Sequence, residues 1–441
     1  MRYPKQARIA TIFFSTSLAL LPPGAASSQV SDSIPKLTRV EPPKLLTIFS
    51  ALSLVDATHP SVTAKRQEVL SAQSNRSAAW QQMLPTLSAN RSRGETDDDR
   101  SLTTATIKQP LFAGGRISGG IDKADAQIQE SESLLAIARR DLMSRTATVY
   151  IDVIKARAKL QVADKSVAAH EELLASIDRR VNAEVSPESD RLLTQSRLSQ
   201  AQSERTQVAL SLRVAEDALR ELIAGELPRL LTPKRPDQEA NNLMDALDQA
   251  LAFSPELRQL LAQEGIAKSE ISIQRSAVFP SLFVRHDQFS GDRGSLPRTQ
   301  TYVGIEFVPG AGFSAGAQIE AAERKRLASI DARFAAEKQL RDQVRSLWAE
   351  RESLKAQLAS TQAYVQSAQS VAESFSRQFT IGKKNWLEVL NAKREALLAE
   401  LNYTELAWSA INASYRLEIL TGRLNPEQLA AAQTLKEINP Q

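Results

Sequence analysis

Apolar residues along this chain follow two rhythms, and the change from one to the other happens twice. From Val149 onward, Val153, Ala156, Leu160, Ala163, Val167, His170, Leu174, Ile177 and Val181 step alternately by three and four. That spacing lays a seam along one face of a coiled-coil helix. A second series does the same through Leu340, Val344, Leu347, Leu354, Leu358, Val365, Ala368, Ala372, Phe375 and Phe379, interrupted at Arg351 and Thr361. A shorter series returns after each, through Leu198, Ala201, Val208, Leu212, Ala215, Leu219 and Leu222, and through Leu390, Leu397, Leu401, Trp408 and Ile411.

Ahead of each long series the period drops to two. Val303, Ile305 and Phe307 interleave with Tyr302, Gly304 and Glu306, as in a strand with unlike faces. The polar run "SGDRGSLPR" (290–298) joins that strand to Leu282–Phe289 as a hairpin. Thr86–Ser92 and Leu102–Gln109 around "GETDDDR" (94–100) form a hairpin with weaker alternation. A helical stretch precedes each hairpin, at about 46–81 and 241–277.

The order of these elements is itself repeated. Pro60 matches Pro255 and Pro85 matches Pro280 at an offset of 195. "GRISGG" (115–120) faces "GFSAGA" (312–317) at 197, and "SDRLLTQSR" (189–197) faces "LEVLNAKRE" (387–395) at 198. Landmarks in one order with a slow drift mark a duplicated unit of about 195 residues. The layout is a leader at 1–26, an extension at 27–45, a first repeat at 46–225, a linker at 226–240, a second repeat at 241–424 and a tail at 425–441. The first repeat holds a hairpin at 86–109, a long helix at 122–182 and a return helix at 188–222. The second holds a hairpin at 281–308, a long helix at 317–381 and a return helix at 386–420.

Each long helix has roughly sixty residues, hence about 90 Å at 1.5 Å per residue. The helix before a hairpin and the return helix, laid end to end, match that length. The economical packing is therefore a rod in which one long helix pairs with two stacked short ones. Strand and long helix meet without a long loop at "IKQPLFAGGRISGGIDKADAQI" (107–128). There Pro110 withholds an N–H and ends the ladder, while Gly114 and Gly115 permit a sharp change of direction. "FVPGAGFSAGAQIEAA" (307–322) repeats the device with Pro309 and Gly312.

Composition narrows the chemistry. There is no cysteine, and the three histidines (His59, His170, His286) are far apart, which excludes disulfides and leaves no histidine metal cluster. His170 lies in the apolar series as a packing residue, and His59 before Pro60 is biased toward a turn. Asp97–Asp99 read as a solvated loop. Gly382-Lys383-Lys384 lacks the upstream glycine and following Ser/Thr of a phosphate loop. No nucleophile–base pair appears, so the chain reads as a non-enzyme that needs no cofactor or metal. Arg2, Lys5 and Arg8, the apolar run 9–21 and Gly24-Ala25-Ala26 read as a secretion signal. Its three basic residues reduce the net charge from +4 to +1, so the basic balance implies no nucleic-acid partner. No later stretch approaches 18 consecutive apolar residues. Strands of about ten residues fit a tilted outer-membrane barrel. Four cannot close one, and eight is the practical minimum, so strands are pooled from at least two chains.

"QPLFAGGR" (109–116), the duplication, and "WLEVLNAK" (386–393) resemble the TolC family of outer-membrane efflux and type I secretion channels, over about 44–424. The resemblance implies a mainly α fold with a small β part. A homotrimer would build an α-barrel across the periplasm and a shared 12-stranded β-barrel in the outer membrane. It also implies a passive duct that docks with a periplasmic adaptor and an inner-membrane ABC or RND-type pump. Carried over by motif, Glu388 falls at a pore-facing carboxylate ring and Asn391 where many members carry a second acid. Asp190 and Lys384 fall at links that hold the tip closed, and Phe379 stands where a tyrosine often joins them. The turns at Val185-Ser186-Pro187 and Ile381-Gly382 are the implied adaptor-docking points. The competing reading is a non-channel periplasmic coiled-coil scaffold or adaptor.

Overall fold

The computed structural model describes residues 45–93, 101–236, 240, 242–291 and 299–425. The leader, almost all of the extension, Asp97–Asp99, most of the second hairpin turn and the tail beyond Asn425 lie outside the described residues. In the first repeat, α1 (Ile48–Thr58) and α2 (Pro60–Gln81) lead into the hairpin β2 (Thr86–Arg93) and β3 (Ser101–Phe112). The long α3 (Arg116–Asn182) and the return helix α4 (Glu188–Ile223) follow. The second repeat runs α5 (Leu243–Phe253), α6 (Pro255–Arg275), β5 (Ser281–Gly291), β6 (Thr299–Glu306), α7 (Ala315–Thr380) and α8 (Trp386–Leu420). Two short strands, β1 (Leu45–Leu46) and β4 (Arg229–Leu230), pair in parallel beside them.

Each single helix expected before a hairpin is in fact two. The repeated prolines Pro60 and Pro255 stand at the first position of α2 and α6, where the missing N–H costs nothing and the ring ends the helix before it. His59 Nδ1 caps α2 by accepting from Ser61 N–H at 3.3 Å, and Ser254 Oγ caps α6 by accepting from Leu257 N–H at 3.3 Å. Across the first break, Arg139 of α3 grips both oxygens of Asp56 at 2.6 Å.

The long helices hold the repeats together. α3 packs on α2 and α4 along one side and on α6 and α8 along the other, while α7 packs on α6 and α8. The main core lies where α1, α3, α4, α8 and the β1–β4 pair converge, around Leu46, Leu52, Met143, Tyr150, Ile151, Leu219 and Tyr415. The Tyr150 hydroxyl reaches two carbonyl oxygens, Leu46 at 2.8 Å and Leu231 at 2.6 Å, and burial pushes its pKa up to about 12. Tyr415 donates to the Lys234 carbonyl at 2.9 Å. The linker after the first repeat is thus pinned by two buried tyrosines. Arg351, an interruption in the sequence rhythm, is buried in register: its guanidinium lies 4.0 Å over the Trp348 ring and pairs with Glu352 at 2.8 Å.

The four long strands form an antiparallel sheet in the order β2-β3-β5-β6. Directly opposed residues share a face, so the register sorts the side chains. Leu87, Ile107, Val284, Leu282, Val303 and Ile305 lie on one face. The other carries Lys108, Thr106, Arg285, Asp287, Tyr302 and Glu306. The apolar face is uncovered, with Leu87, Val303 and Ile305 at 77%, 64% and 74% exposure. The polar face is tied internally by Lys108–Glu306 at 3.2 Å, Arg285–Asp287 at 2.8 Å and a Thr106 hydroxyl donating to Asp287 at 2.6 Å.

Candidate functional site

Two ends of the molecule carry the residues singled out above. At the strand–helix joint, β3 does not stop at Pro110. Its ladder with β2 ends at Lys108, but Pro110 still pairs with Phe283 of β5, and a bulge between Pro110 and Phe112 carries the strand on. A proline is tolerated there because the bulge and the missing neighbour leave its absent N–H without consequence. Gly114 and Gly115 follow with φ +60° and +94°, the left-handed region that favours glycine. A Cβ on Gly114 would lie 2.8 Å from the Ser276 carbonyl oxygen.

α3 starts six residues before the expected 122, at Arg116, with Gly115 as its N-cap. Gly119 is therefore a helix residue, chosen for closeness: a Cβ there would meet Ile273, Ser272 and the Ser269 carbonyl of α6 at 3.1–3.3 Å. At the second joint, Pro309 accepts from Ala315 N–H at 3.2 Å, Gly310 and Gly312 have φ +84° and +60°, and Phe313 also lies at +56°.

At the opposite end the helical tips close by one hydrogen-bond pattern. After α7, Gly382 N–H donates to the Phe379 carbonyl at 3.0 Å and Lys383 N–H to the Gln378 carbonyl at 2.9 Å. After α3, Glu184 N–H donates to Val181 at 2.9 Å and Val185 N–H to Arg180 at 2.8 Å. Both are Schellman ends needing a left-handed residue. Gly382 supplies it at φ +75°, and Glu184 does so at +59° without a glycine. Pro187 is the N-cap of α4, with φ −73°, just outside the helix. Val185 and Ile381 are exposed at the two turns, and Ser186 is half-buried.

Glu388 opens α8. One carboxylate oxygen accepts from Asn385 N–H at 3.1 Å, while Asn385 caps the helix in return, a reciprocal capping box. The other oxygen takes Lys384 Nζ at 2.6 Å. The Lys384 ammonium, helped by the Asn385 N–H, holds the Glu388 carboxyl below the usual carboxylate range. Lys384 also lies 4.3 Å over the Phe375 ring. Asn391, three residues on, is exposed on the same side of α8, while Val389 and Leu390 are buried.

Within the chain Lys384 thus pairs with Glu388, and no Asp190–Lys384 ion pair occurs among the described residues. The Asp190 carbonyl accepts from Thr194 Oγ1 at 2.7 Å. Phe379 is buried with Leu173, Ile177, Trp386, Val389 and Leu390, and the Arg180 guanidinium sits 4.9 Å over its ring. Arg180, Glu184 and Trp386 also shape the tip, though no role was expected for them from the sequence. The capping box was legible in "NWLE" (385–388); the pairing of Arg180 with Phe379 spans two helices and had no local signal.

Set against known proteins, residues 51–225 and 246–423 each match the outer membrane efflux protein family. The chain is 23% identical over 360 residues to the outer membrane efflux protein BepC of Brucella suis biovar 1, covering 78% of this chain and 77% of that protein. It is 25% identical over 434 residues to the cobalt-zinc-cadmium resistance protein CzcC of Cupriavidus metallidurans, covering 92% and 98%. The fold is shared with the CmeC outer membrane channel of Campylobacter jejuni, at a TM-score of 0.74 and 14% identity over 88% of each chain.

Proposed function

The chain belongs to the outer membrane efflux protein family, and from that premise we propose that three copies assemble into one duct across periplasm and outer membrane. The protein is an outer-membrane channel component and not an enzyme. Channels of this family serve tripartite systems with a periplasmic adaptor and an inner-membrane pump.

One observation supports closure between copies, and the family resemblance sets their number at three: among the described residues the four-stranded sheet has an apolar face and two edge strands, β2 and β6, without a further partner. Unpaired backbone edges are not tolerated in a bilayer. Closure of β6 on β2 of the next copy satisfies them, and three copies give twelve strands. The helices support the same arrangement, since α7 packs on α6 and α8 while α2 and α4 occupy the far edge of the chain. A non-channel scaffold has no use for a strand face that leaves Leu87, Val303 and Ile305 uncovered.

The tips form the periplasmic entrance in this reading. Three Glu388 carboxylates and three Asn391 amides line the constriction, and the single acid per chain makes it weakly cation-favouring. Lys384 is shared between Glu388 and, across the trimer, Asp190, while Phe379 anchors the tip by packing. Val185, Ser186, Pro187, Ile381 and Gly382 present the docking turns to the adaptor. Purified protein in planar bilayers should open discrete cation-favouring channels, and Glu388→Gln should lower that preference. A protein that fractionates away from outer membranes and conducts no current would sink the reading.

A further inference from the structure

Phe313 is 79% exposed, more than any other large apolar side chain described, yet it lies off the sheet, in the turn between β6 and α7. Its backbone is left-handed at φ +56°, a conformation unfavourable for an aromatic residue. Backbone strain of this kind persists where the surroundings over-determine it, and it clusters at contacts that serve function. At the other edge of the same chain, an open cavity of about 440 Å³ lies at the level of the same joint, lined by Met83, Leu111, Phe112, Ala113 and Ile117. Resting on the trimer reading, we infer that Phe313 of one protomer seats in this cavity of the next.

The internal duplication supplies the argument. Within one chain the β3–α3 joint abuts the α6–β5 connector, where Gly114 lies against Ser276 and Phe279. Shifting both sides by the repeat offset turns Gly114 into Ala311, Ser276 into Gln81 and Phe279 into Leu84. The equivalent contact is therefore the β6–α7 joint against the α2–β2 connector, and a single chain holds these at opposite edges of the sheet. Closing β6 antiparallel to β2 of the next copy sets the end of β6 at Glu306 beside the start of β2 at Thr86. Neighbouring strands are about 4.8 Å apart, so the turn bearing Phe313 arrives beside Met83. The position that Phe313 takes at this seam is taken by Arg116 at the interior joint, on the same offset of 197, and Arg116 is exposed there. The substitution of an aromatic for a charge is what an apolar cavity on the facing chain requires.

The absence of cysteine makes the test direct. Phe313→Cys combined with Met83→Cys, treated with a short bis-maleimide in outer membranes, should give covalent dimers and trimers on denaturing gels. Phe313→Cys combined with Val185→Cys, at the far tip, should give none. Phe313→Ala should lower the temperature at which the trimer dissociates, and Phe313→Leu should restore most of it. A trimer on semi-native gels without the Phe313–Met83 cross-link, and with unchanged dissociation in Phe313→Ala, overturns the seat while leaving the channel intact. A chain that is monomeric in membranes overturns both. Quenching of Phe313→Trp fluorescence by brominated phospholipid, with no cross-link, assigns the ring to lipid and also overturns the seat.

Discussion

The two long helices have nearly the same length, 67 and 66 residues, and the same apolar rhythm, yet they sit in different surroundings. α3 buries side chains along its whole run, from Ile117 through Met143, Tyr150 and Val162 to Ile177. α7 has no buried residue between Ala322 and Leu340, or between Arg351 and Ala368. α3 has short helices on both sides, and α7 lacks one of these sides within the chain. A three–four rhythm states that a helix can form seams; it does not state whether the chain itself fills them. The second repeat is the first repeat with one side open within the chain, the side that the proposed trimer would fill with another copy.

That contrast can be broken by substitution. The largest effect belongs to a filled seam: Ile177→Ala, at a fully buried position of the tip cluster, should destabilise by about 3 kcal/mol in thermal melts. Leu327→Ala, at a half-exposed position of α7, should cost less than about 0.5 kcal/mol in the dissociated chain. Equal losses would mean that α7 is already covered. Tyr150→Phe removes the buried hydroxyl that bridges the Leu46 and Leu231 carbonyls and should cost about 1 kcal/mol, since the Leu46 carbonyl still accepts from Leu231 N–H; cleavage by added protease should rise first in the 226–240 linker.

The joints sharpen the comparison by sign. Gly119→Ala pushes against α6 and should destabilise by about 1 kcal/mol or more. Gly316→Ala, its counterpart in the second repeat, meets nothing within 4 Å and should stabilise by about 0.5–1 kcal/mol through helix propensity. That prediction is for the dissociated chain, because the offset mates of Ser272 and Ser269 are the serines Ser77 and Ser74, which a neighbouring copy would bring against Gly316. The tips invert in the same way. Glu184→Gly should stabilise and Gly382→Ala destabilise, each by about 1 kcal/mol, because only one of the two left-handed ends has a glycine.

The smallest effect is electrostatic. The Glu388 carboxyl is held below its ordinary range, so its contribution is present above the unfolded carboxylate pKa of about 4.3 and lost as pH falls through the lower folded value. Hydrogen-exchange protection in the first turn of α8, taken relative to the intrinsic rate at each pH, should fall in that acid window, and Glu388→Gln should remove the step. An unchanged exchange profile would show that the Lys384–Glu388 pair contributes nothing to the cap.

Much of this architecture is visible in the chain because its signals are local. The return helices run Glu188–Ile223 and Trp386–Leu420, and each start is marked by a residue that caps or stops a helix, Pro187 or Asn385. The helix breaks at Pro60 and Pro255 were visible as repeat landmarks, but their effect depends on a cap, which His59 and Ser254 supply. The start of α3 at Arg116 was hidden because Gly119 and Gly120 are poor helix formers, whereas Gly119 serves helix contact. β1 and β4 are two residues each, too short for any periodic signal, and exist only because Tyr150 and the core hold them together. Arg351 looked like a fault in the rhythm until Trp348 offered its ring. At the tip, spacing placed Lys384 and Glu388 one turn apart, but which acid Lys384 meets is decided by the cap geometry of Asn385.

In the proposed duct one chain is a third of a closed barrel, with the open edges of β2 and β6 joined between copies. Native mass spectrometry of protein extracted from outer membranes in mild detergent tests it most directly. A single dominant species of three chains is expected, with subcomplexes appearing only on activation. A dominant species of one or two chains would leave the edges of the sheet unpaired and contradict it.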